Sequence, residues 1–471
     1  MLTLFILPIL SFLNLVINCF LNKEKNTKLC ENIFISFSLI EFILTFFYIN
    51  NQFFEYTLKI KSIPMLHLSN ANFTNIFVLL TSFIALLVSI DVKTSIKNKN
   101  QQYINMLLLT NIALFMCFLS KDLISFYIFF ELSIIPIFFV ILLWGGVNKI
   151  LAAKQFLIYT VFGSAFILVP IIYLCNKTGT AVSVDILKSN NFIDLSSNVK
   201  ITLCSMMILG FFIKIPTFPF HTWLPLAHVQ APTGGSMILA GILIKLGGFG
   251  ILQYVLPIFS NEILILQNYL IVIGLISLIY GSFVAMGQTD IKKMIAYSSI
   301  AHMSYVVCGL CSMNINGING AVFQMISHGV ISCGLFYAIG ILYTRFHTRD
   351  IEKYGNLYEI CPFYAKIFIL LSMASVGLPG TIGFIGELMT ILSIVSVSKI
   401  YALILAFGAV IGAIYILNLC RKLLFTKECN TKIQENDFIL TIWEKCNLCI
   451  ISTVIILGGI YPKFIFNIIK L

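Results

Sequence analysis

Long apolar runs recur from one end of this chain to the other, and many reach the roughly 18 residues that mark a membrane-spanning helix. Only 10% of the 471 residues are charged, whereas about 25% is typical of soluble domains. A membrane β-barrel would alternate polar and apolar residues over segments of roughly 10 residues, but residues 201–213 and 263–285 do not alternate in this way. The sequence therefore predicts an all-α polytopic membrane protein.

The apolar runs predict about 14 transmembrane helices, which we number spans 1 to 14. Their predicted bounds are residues 2–21, 32–50, 73–90, 103–120, 122–143, 154–175, 199–219, 233–256, 263–285, 292–313, 317–343, 361–397, 400–425 and 440–468. The odd-numbered connectors hold eighteen Lys and Arg residues, and the even-numbered connectors with the C-terminal end hold nine. The positive-inside rule then predicts that the odd-numbered connectors face the cytoplasm or matrix and that both termini lie outside. We call these two faces the odd side and the even side.

Composition excludes several classes of function. The net charge of +11 is spread over short connectors, so no basic face for nucleic acid is predicted. The 13 cysteines are also scattered, and no nucleotide-binding loop, Fe–S cysteine set or haem ligand pair is found. The first twenty residues hold no Lys or Arg, which predicts an uncleaved first helix rather than a targeting peptide. With the abundance of Phe, Ile, Asn, Lys and Tyr, this favours an organelle-encoded or bacterial chain.

Two predicted spans are interrupted in the same way, span 7 by KIPTFP at residues 214–219 and span 12 by GLPGTIG at residues 377–383. Broken helices at corresponding places in two halves indicate an inverted-repeat transporter. Pro kinks that serve only helix packing are the alternative. The predicted divisions are residues 1–102 (spans 1–3), 103–256 (a first five-helix repeat, spans 4–8), 257–425 (a second, inverted five-helix repeat, spans 9–13) and 426–471 (span 14).

Four ionisable side chains are predicted deep inside the spans: Glu131 in span 5, Lys214 at the break of span 7, Lys245 in span 8 and Glu387 after the break of span 12. A charge at mid-bilayer costs at least ~2.5 to 3.5 kcal/mol, so such residues are functional candidates. Burial disfavours the charged forms of Lys and Glu, and a nearby opposite charge restores them. A Glu131 that approaches or leaves Lys214 would therefore switch the lysine between holding and releasing a proton. Static ion pairs that fix helix register are the alternative.

Histidines accompany these charges. His302 in span 10 and His328 in span 11 are predicted to bridge Lys245 and Glu387 with the help of water, because imidazole exchanges protons near neutral pH.

Other buried polar residues are assigned with less detail. His221 and His228 follow the break of span 7, where a structural role and a proton-uptake role are both open. Glu41 in span 2 has no ionisable companion in its predicted span, and we interpret it as lipid-facing or as a contact to another subunit.

Several motifs resemble one known family, the antiporter-like membrane subunits of respiratory NADH:quinone oxidoreductase. The longest is KIPTFPFHTWLPLAHVQAPTGGSMILAGILIKLGGFG at residues 214–250. The others, in chain order, are DLISFYIFFELSIIP (122–136), DIKKMIAYSSIAHMSYV (290–306), FQMISHG (323–329) and GLPGTIGFIGE (377–387). The resemblance covers roughly residues 70–425 and is strongest to the subunit 4 branch, because the subunit 5 branch usually has Lys at position 387 and a long C-terminal helix. One departure is Leu226, where the family often has a charged residue.

The resemblance implies a role for each buried ionisable residue. It implies that Glu131 switches the charge of Lys214, which carries protons on the input side. Further along, it implies a central carrier, two bridging groups and an output group, which are Lys245, His302 with His328, and Glu387.

The resemblance also implies a proton-translocating subunit that binds no cofactor or metal itself, with NADH, FMN, Fe–S clusters and ubiquinone held elsewhere in the complex. Its expected partners are other membrane-arm subunits, especially neighbouring antiporter-like ones, and membrane lipids. The expected location is the mitochondrial inner membrane, with the bacterial plasma membrane as the alternative. Two rival functions stay open: an Mrp-type Na+/H+ antiporter subunit, and a scaffold that has lost pumping.

Overall fold

The computed structural model describes residues 6–21, 27–48, 55–60, 63–69, 72–95, 100–426 and 438–469. Within these residues, 12 helices are long and apolar enough to span a membrane, and three shorter apolar helices accompany them. One of the shorter helices is span 1, and the other two are the halves of span 12. The predicted helical membrane fold and its spans are therefore confirmed.

The first half of the chain forms spans 1 to 7. Their bounds are Ile6–Phe20, Thr27–Tyr48, Asn72–Ser95, Asn100–Leu119, Leu123–Trp144, Lys149–Thr178 and, for the broken span 7, Ser197–Lys214 followed by Trp223–Gln230. The second half of span 7 was not predicted, because Pro219 and Pro225 leave too short a periodic run to be read as a helix.

The second half of the chain forms spans 8 to 14. Their bounds are Thr233–Ile258, Ser260–Met286, Ile291–Cys311, Ile315–Phe346, the broken span 12 (Pro362–Val376 and Ile382–Val395), Lys399–Phe425 and Ile442–Ile460. A short helix, Lys463–Ile469, follows span 14. The division into two repeats stays a prediction.

Some connectors contain secondary structure that was not predicted from the sequence. An antiparallel hairpin of Glu55–Ile60 and Ile63–Ser69 joins spans 2 and 3. Its strands of 6 and 7 residues are shorter than the roughly 9 to 11 residues that a membrane-crossing strand needs. Two short helices, Ser183–Lys188 and Asn190–Ile193, lie between spans 6 and 7.

Polar caps set where several spans begin. Asp122 accepts a hydrogen bond from Ser125 N at 2.7 Å before span 5, and Asn314 accepts one from Gly317 N at 2.7 Å before span 11. Span 14 begins with a capping box of Thr441 and Glu444. Each cap satisfies a backbone N–H that has no partner inside the helix.

Spans 8, 10 and 11 form the centre of the bundle. The apolar segments of spans 8 and 11 are entirely buried, and that of span 10 is 89% buried. Outer spans such as 2, 6 and 13 bury less than half of theirs. Side chains on the central spans are therefore shielded from lipid, so a polar residue there must find a partner inside the protein.

Candidate functional site

The two helix breaks leave backbone groups that side chains then satisfy. Span 7 stops at Lys214 because Pro216 has no N–H to continue the helix. The indole Nε1 of Trp223 donates to the carbonyl of Ile213 at 3.0 Å, and Phe218 N donates to Ser277 Oγ at 2.8 Å. Within a membrane such internal partners are what allow a helix to break.

The first half of span 12 ends at Gly377, whose φ of 78° lies in the left-handed region. Leu378 N donates back to Met373 O at 3.0 Å, which closes the helix end. A Cβ at Gly377 would lie 3.0 Å from Glu387 Oε2. Glycine at this position therefore both permits the turn and leaves room for the Glu387 carboxyl group.

Lys245 lies between two π-helical turns, Leu239–Leu243 and Ile251–Val255. In the first turn, Ile244 N donates to Leu239 O five residues back. The side chain of Lys245 is fully buried, and its Nζ donates to Ala240 O and lies 2.7 Å from His328 Nδ1. Lys245 thus has two partners inside the protein, and one of them is the predicted bridging residue His328. Because an ammonium group has no acceptor, His328 Nδ1 accepts when the lysine is charged.

His328 and His302 lie side by side across a small polar cavity. Their ring centroids are 5.7 Å apart, and His328 Nε2 is buried without a hydrogen-bond partner. The cavity between them is also lined by Ser327 and Ser375, and it has room for about one water molecule. His302 Nε2 lies 3.3 Å from Ser375 Oγ.

Glu387 is hydrogen-bonded to His302. Its Oε1 lies 2.9 Å from His302 Nδ1 and 3.5 Å from Gln324 Nε2. The carboxyl group is buried where spans 10, 11 and 12 meet. The structure therefore brings four of the six predicted residues, Lys245, His328, His302 and Glu387, into one chain.

Lys214 and Glu131 are not hydrogen-bonded to each other. Lys214 Nζ is buried without a hydrogen-bond partner, and it lies 4.8 Å from the centroid of the Phe130 ring. Glu131 is half-buried, its Oε1 has no partner, and it is the carboxylate that acts electrostatically on Lys214. Among the described residues, no hydrogen bond joins this pair to Lys245. Glu131 and Lys214 are thus not in hydrogen-bonding contact, and we call this the separated arrangement.

Both histidines after the break of span 7 are buried. His221 packs against the rings of Tyr280 and Phe218, with centroids 4.8 and 5.8 Å away. His228 stacks on Phe336 at 4.4 Å. None of the four ring nitrogens has a hydrogen-bond partner.

Two buried charges on the odd side, Lys292 and Asp91, were not predicted as site residues, because Lys292 stands at the very start of predicted span 10 and Asp91 directly after predicted span 3. Lys292 Nζ donates to Ala231 O at 2.8 Å and lies 3.5 Å from Ser236 Oγ, while Asp91 accepts from Ser95 Oγ at 2.9 Å. Asp91 and Lys292 interact electrostatically.

A helical pattern could have revealed Lys292. It precedes the buried Ser299 by seven residues, or two helical turns, and so shares its face. The position of Lys292 also matters for the site, because His228 lies within electrostatic range of both Lys292 and Lys245.

One assignment from sequence is wrong. Glu41 does not face lipid: it is 1% exposed and accepts a hydrogen bond of 2.5 Å from Ser11 Oγ on span 1.

Comparisons with known proteins agree with this architecture. The transmembrane family described as NADH:quinone oxidoreductase/Mrp antiporter matches residues 120–412. The chain is 40% identical over 479 residues to NADH-quinone oxidoreductase subunit M of Rickettsia prowazekii, covering 99% of this chain and 96% of the relative. It is 37% identical over 434 residues to NADH-ubiquinone oxidoreductase chain 4 of Marchantia polymorpha, covering 90% and 86%.

Solved structures share the fold. A chain of respiratory complex I from Thermus thermophilus superimposes with a TM-score of 0.88 at 24% identity, covering 98% of this chain and 97% of that one. A chain of the Mrp complex from Dietzia sp. DQ12-45-1b gives a TM-score of 0.85 at 14% identity, covering 98% and 95%.

Two broken helices and a buried Lys–His–His–Glu chain define an antiporter-like, multi-pass membrane protein. The chain belongs to the NADH:quinone oxidoreductase/Mrp antiporter transmembrane family, and the family resemblance of its motifs is thereby confirmed.

Proposed function

We propose that this chain is the proton-translocating subunit of the subunit 4 type, called subunit M in bacterial relatives, of a respiratory NADH:quinone oxidoreductase. The relatives that match nearly the whole chain carry these names. The observation that carries the proposal is the chain of contacts from Lys245 through His328 and His302 to Glu387. Electron transfer takes place in other subunits, and this chain moves protons.

A proton leaves Lys245 Nζ for His328 Nδ1 along their 2.7 Å contact. The imidazole then releases a proton from Nε2 to water in the small cavity, which passes one to His302 Nε2. His302 in turn delivers a proton from Nδ1 to the carboxylate of Glu387 along the 2.9 Å contact. Each histidine accepts a proton on one nitrogen and releases one from the other, which leaves the ring in its opposite neutral tautomer. The N–H of each ring must therefore return to its first nitrogen before the next transfer.

Glu131 controls when Lys214 holds its proton. In the separated arrangement Lys214 has no hydrogen-bond partner and lies over Phe130. An approach of Glu131 would stabilise the lysine charge strongly, since Coulomb attraction is only weakly screened away from water. Glu131 lies on the outer span 5, where spans of a neighbouring subunit can act on it. The signal would then travel through polar groups in the membrane plane.

The assembled complex supplies what this chain does not. NADH, FMN, Fe–S clusters and ubiquinone bind to other subunits, and this chain contacts neighbouring antiporter-like subunits and lipids. We propose the mitochondrial inner membrane as its location, with the bacterial plasma membrane as the alternative. The relatives include one named NADH-ubiquinone oxidoreductase chain 4 and one named NADH-quinone oxidoreductase subunit M.

Proton pumping by the purified complex in sealed vesicles tests this proposal. Lys245→Met removes the buried ammonium group, and the matched control Lys154→Met removes an exposed one on span 6. At equal assembly, we expect Lys245→Met to lose pumping and Lys154→Met to retain it. Unchanged pumping in Lys245→Met would instead favour the scaffold function.

An Mrp-type antiporter would differ from the proposed subunit in the ion that it moves and in the subunits that co-purify with it. Purification of the native chain should recover subunits of the NADH-oxidising complex, and pumping should be unaffected when sodium is replaced by potassium. Dependence on sodium without such subunits would favour the antiporter.

A further inference from the structure

Spans 1 to 4 contain a second set of buried polar groups, outside the family-matched residues 120–412. On span 1, Ser11, Asn14 and Asn18 are spaced three and four residues apart and are all buried. This spacing places them on one face of the helix. The opposite side of the helix exposes large apolar residues such as Leu13, so the polar face of span 1 points into the bundle.

The polar groups lie in a line, which we call the span 1 track, and hydrogen bonds join its members on either side of the one-turn step between Asn14 and Ser11. Gln101 Nε2 donates to Asn18 O and, at 3.0 Å, to Leu21 O near the odd side. Asn18 Nδ2 donates to Asn14 Oδ1 at 2.8 Å. One turn further, Ser11 Oγ donates to Glu41 Oε1 at 2.5 Å. The track thus leads from the odd-side end of span 1 to a carboxyl group deep in the membrane.

Several atoms of the track have no protein partner. Asn14 Nδ2, Asn18 Oδ1 and Gln101 Oε1 are buried without hydrogen bonds. Unpaired donors and acceptors are strongly unfavourable in hydrocarbon, and water is the usual partner of such groups. The free donor of Asn14 on span 1 and the free acceptors of Asn18 and Gln101 are therefore suited to hydrogen-bond a file of water molecules.

Glu41 closes the track. It lies 14 residues into span 2, which is about 21 Å at 1.5 Å per residue. Among the described residues, no Lys, Arg or His forms an ion pair with it. Past Glu41, the hydroxyls of Thr45 and Ser82 bind each other at 2.7 Å. Phe42 and Phe46 line an apolar cavity on the even side, so the described polar face of span 2 ends at this mutually hydrogen-bonded hydroxyl pair, one turn beyond Glu41.

We propose that Glu41 is a proton-binding site, separate from the Lys245–Glu387 chain, that exchanges protons with the odd side along the span 1 track. A carboxylate without a counter-charge is unfavourable at this depth, and the site is neutralised by a proton delivered through water. The hydrogen bond from Ser11 orients the carboxyl group. The site goes beyond the proposed function because it lies outside the central path.

Sided cysteine modification tests the water path in the assembled complex. Asn14→Cys places a thiol on the track, and Leu13→Cys places one at the same depth on the exposed face. A cationic methanethiosulfonate is added on the odd side, and the modified cysteine is identified by peptide mass spectrometry. We expect Asn14→Cys to be modified at least about tenfold faster than Leu13→Cys, since a cation enters hydrocarbon poorly. Ser11→Cys is the more conservative second variant. Equal rates, or faster modification from the even side, would overturn the track.

Infrared difference spectroscopy tests the proton. The wild-type complex should show a carboxylic-acid C=O band that shifts in D2O, that is lost in Glu41→Gln and that is retained in Glu41→Asp. A band unaffected by Glu41→Gln, or a site that binds sodium in place of a proton, would overturn the assignment. The band should persist in Lys245→Met, so failure of the central path and failure of this site are distinguishable.

Discussion

The buried lysines of this protein differ in their hydrogen-bond partners. This difference allows a role in proton transfer to be distinguished from a role in stability. Lys245 Nζ binds Ala240 O and His328 Nδ1, whereas Lys214 Nζ has no hydrogen-bond partner. Breaking a buried ion pair leaves an uncompensated charge and costs about 3 to 5 kcal/mol, but a lysine without such a pair can be replaced at little cost in stability. If Lys214 fixes helix register, its substitution should lower stability. If it carries protons, its substitution should leave stability unchanged.

We expect Lys214→Met to abolish pumping while leaving the thermal stability of the assembled complex unchanged or higher. The comparison is Arg345→Met, which breaks two hydrogen bonds to Glu444 of 2.9 and 2.7 Å between spans 11 and 14. That variant should lose stability by about 3 to 5 kcal/mol. Differential scanning calorimetry checks both, and a large destabilisation by Lys214→Met would favour the static ion pair.

Asp91 and Lys292 provide the second prediction for single residues. Lys292 lies at the odd-side start of span 10 and Asp91 near the odd-side end of span 3, and His228 lies within electrostatic range of both Lys292 and Lys245. If protons enter here, Lys292→Met and Asp91→Asn should each slow pumping at least about tenfold, which is modest for loss of a proton-transfer group. The double variant should be no slower than the worse single variant, because both act in one network. Additive losses would indicate two independent roles.

Individual helices show which features of the fold could be predicted from the sequence. Pro216 and Gly377 mark the two breaks in the printed sequence, so both broken spans were predictable. The π-helical turns around Lys245 carry no comparable signal, since a one-residue shift in hydrogen bonding needs no special residue. The second half of span 7 depends on contacts with distant spans, and a single sequence does not encode these locally. His328, by contrast, was predicted as a neighbour of Lys245 from its residue type and place in span 11.

Helix contacts at the break give a prediction for glycine. A Cβ at Gly247, beside Lys245, would lie 2.6 Å from Ile215 Cγ1 and 2.8 Å from Phe211 O, which is backbone of span 7. Gly247→Ala should therefore push spans 7 and 8 apart and destabilise the complex by about 1 to 3 kcal/mol. At Gly412 in span 13 a Cβ would meet only Tyr415 OH at 3.9 Å, so Gly412→Ala should be neutral or stabilise by up to about 1 kcal/mol. Thermal unfolding of both variants decides this.

Across the whole molecule, the proposed path connects two broken helices through three central spans. Lys214 ends the first half of span 7, and Glu387 lies inside the second half of span 12, which begins at Ile382. Lys245, His328 and His302 come from spans 8, 11 and 10 between them. Sequence predicted these five residues and Glu131, but their connection depends on the packing of the central spans. Among the described residues, no hydrogen bond bridges the gap between Lys214 and Lys245.

Blocking both ends of this path tests whether it is one path. Distant substitutions that act independently have additive effects on free energy. If Lys214 and Glu387 serve one proton in series, the double variant Lys214→Met/Glu387→Gln should pump no more slowly than the slower single variant, because a route already closed cannot be closed again. If each half moves its own proton, each single variant should retain part of the pumping and only the double variant should lose it. Proton-to-electron ratios of the three variants in sealed vesicles therefore separate one shared route from two parallel ones.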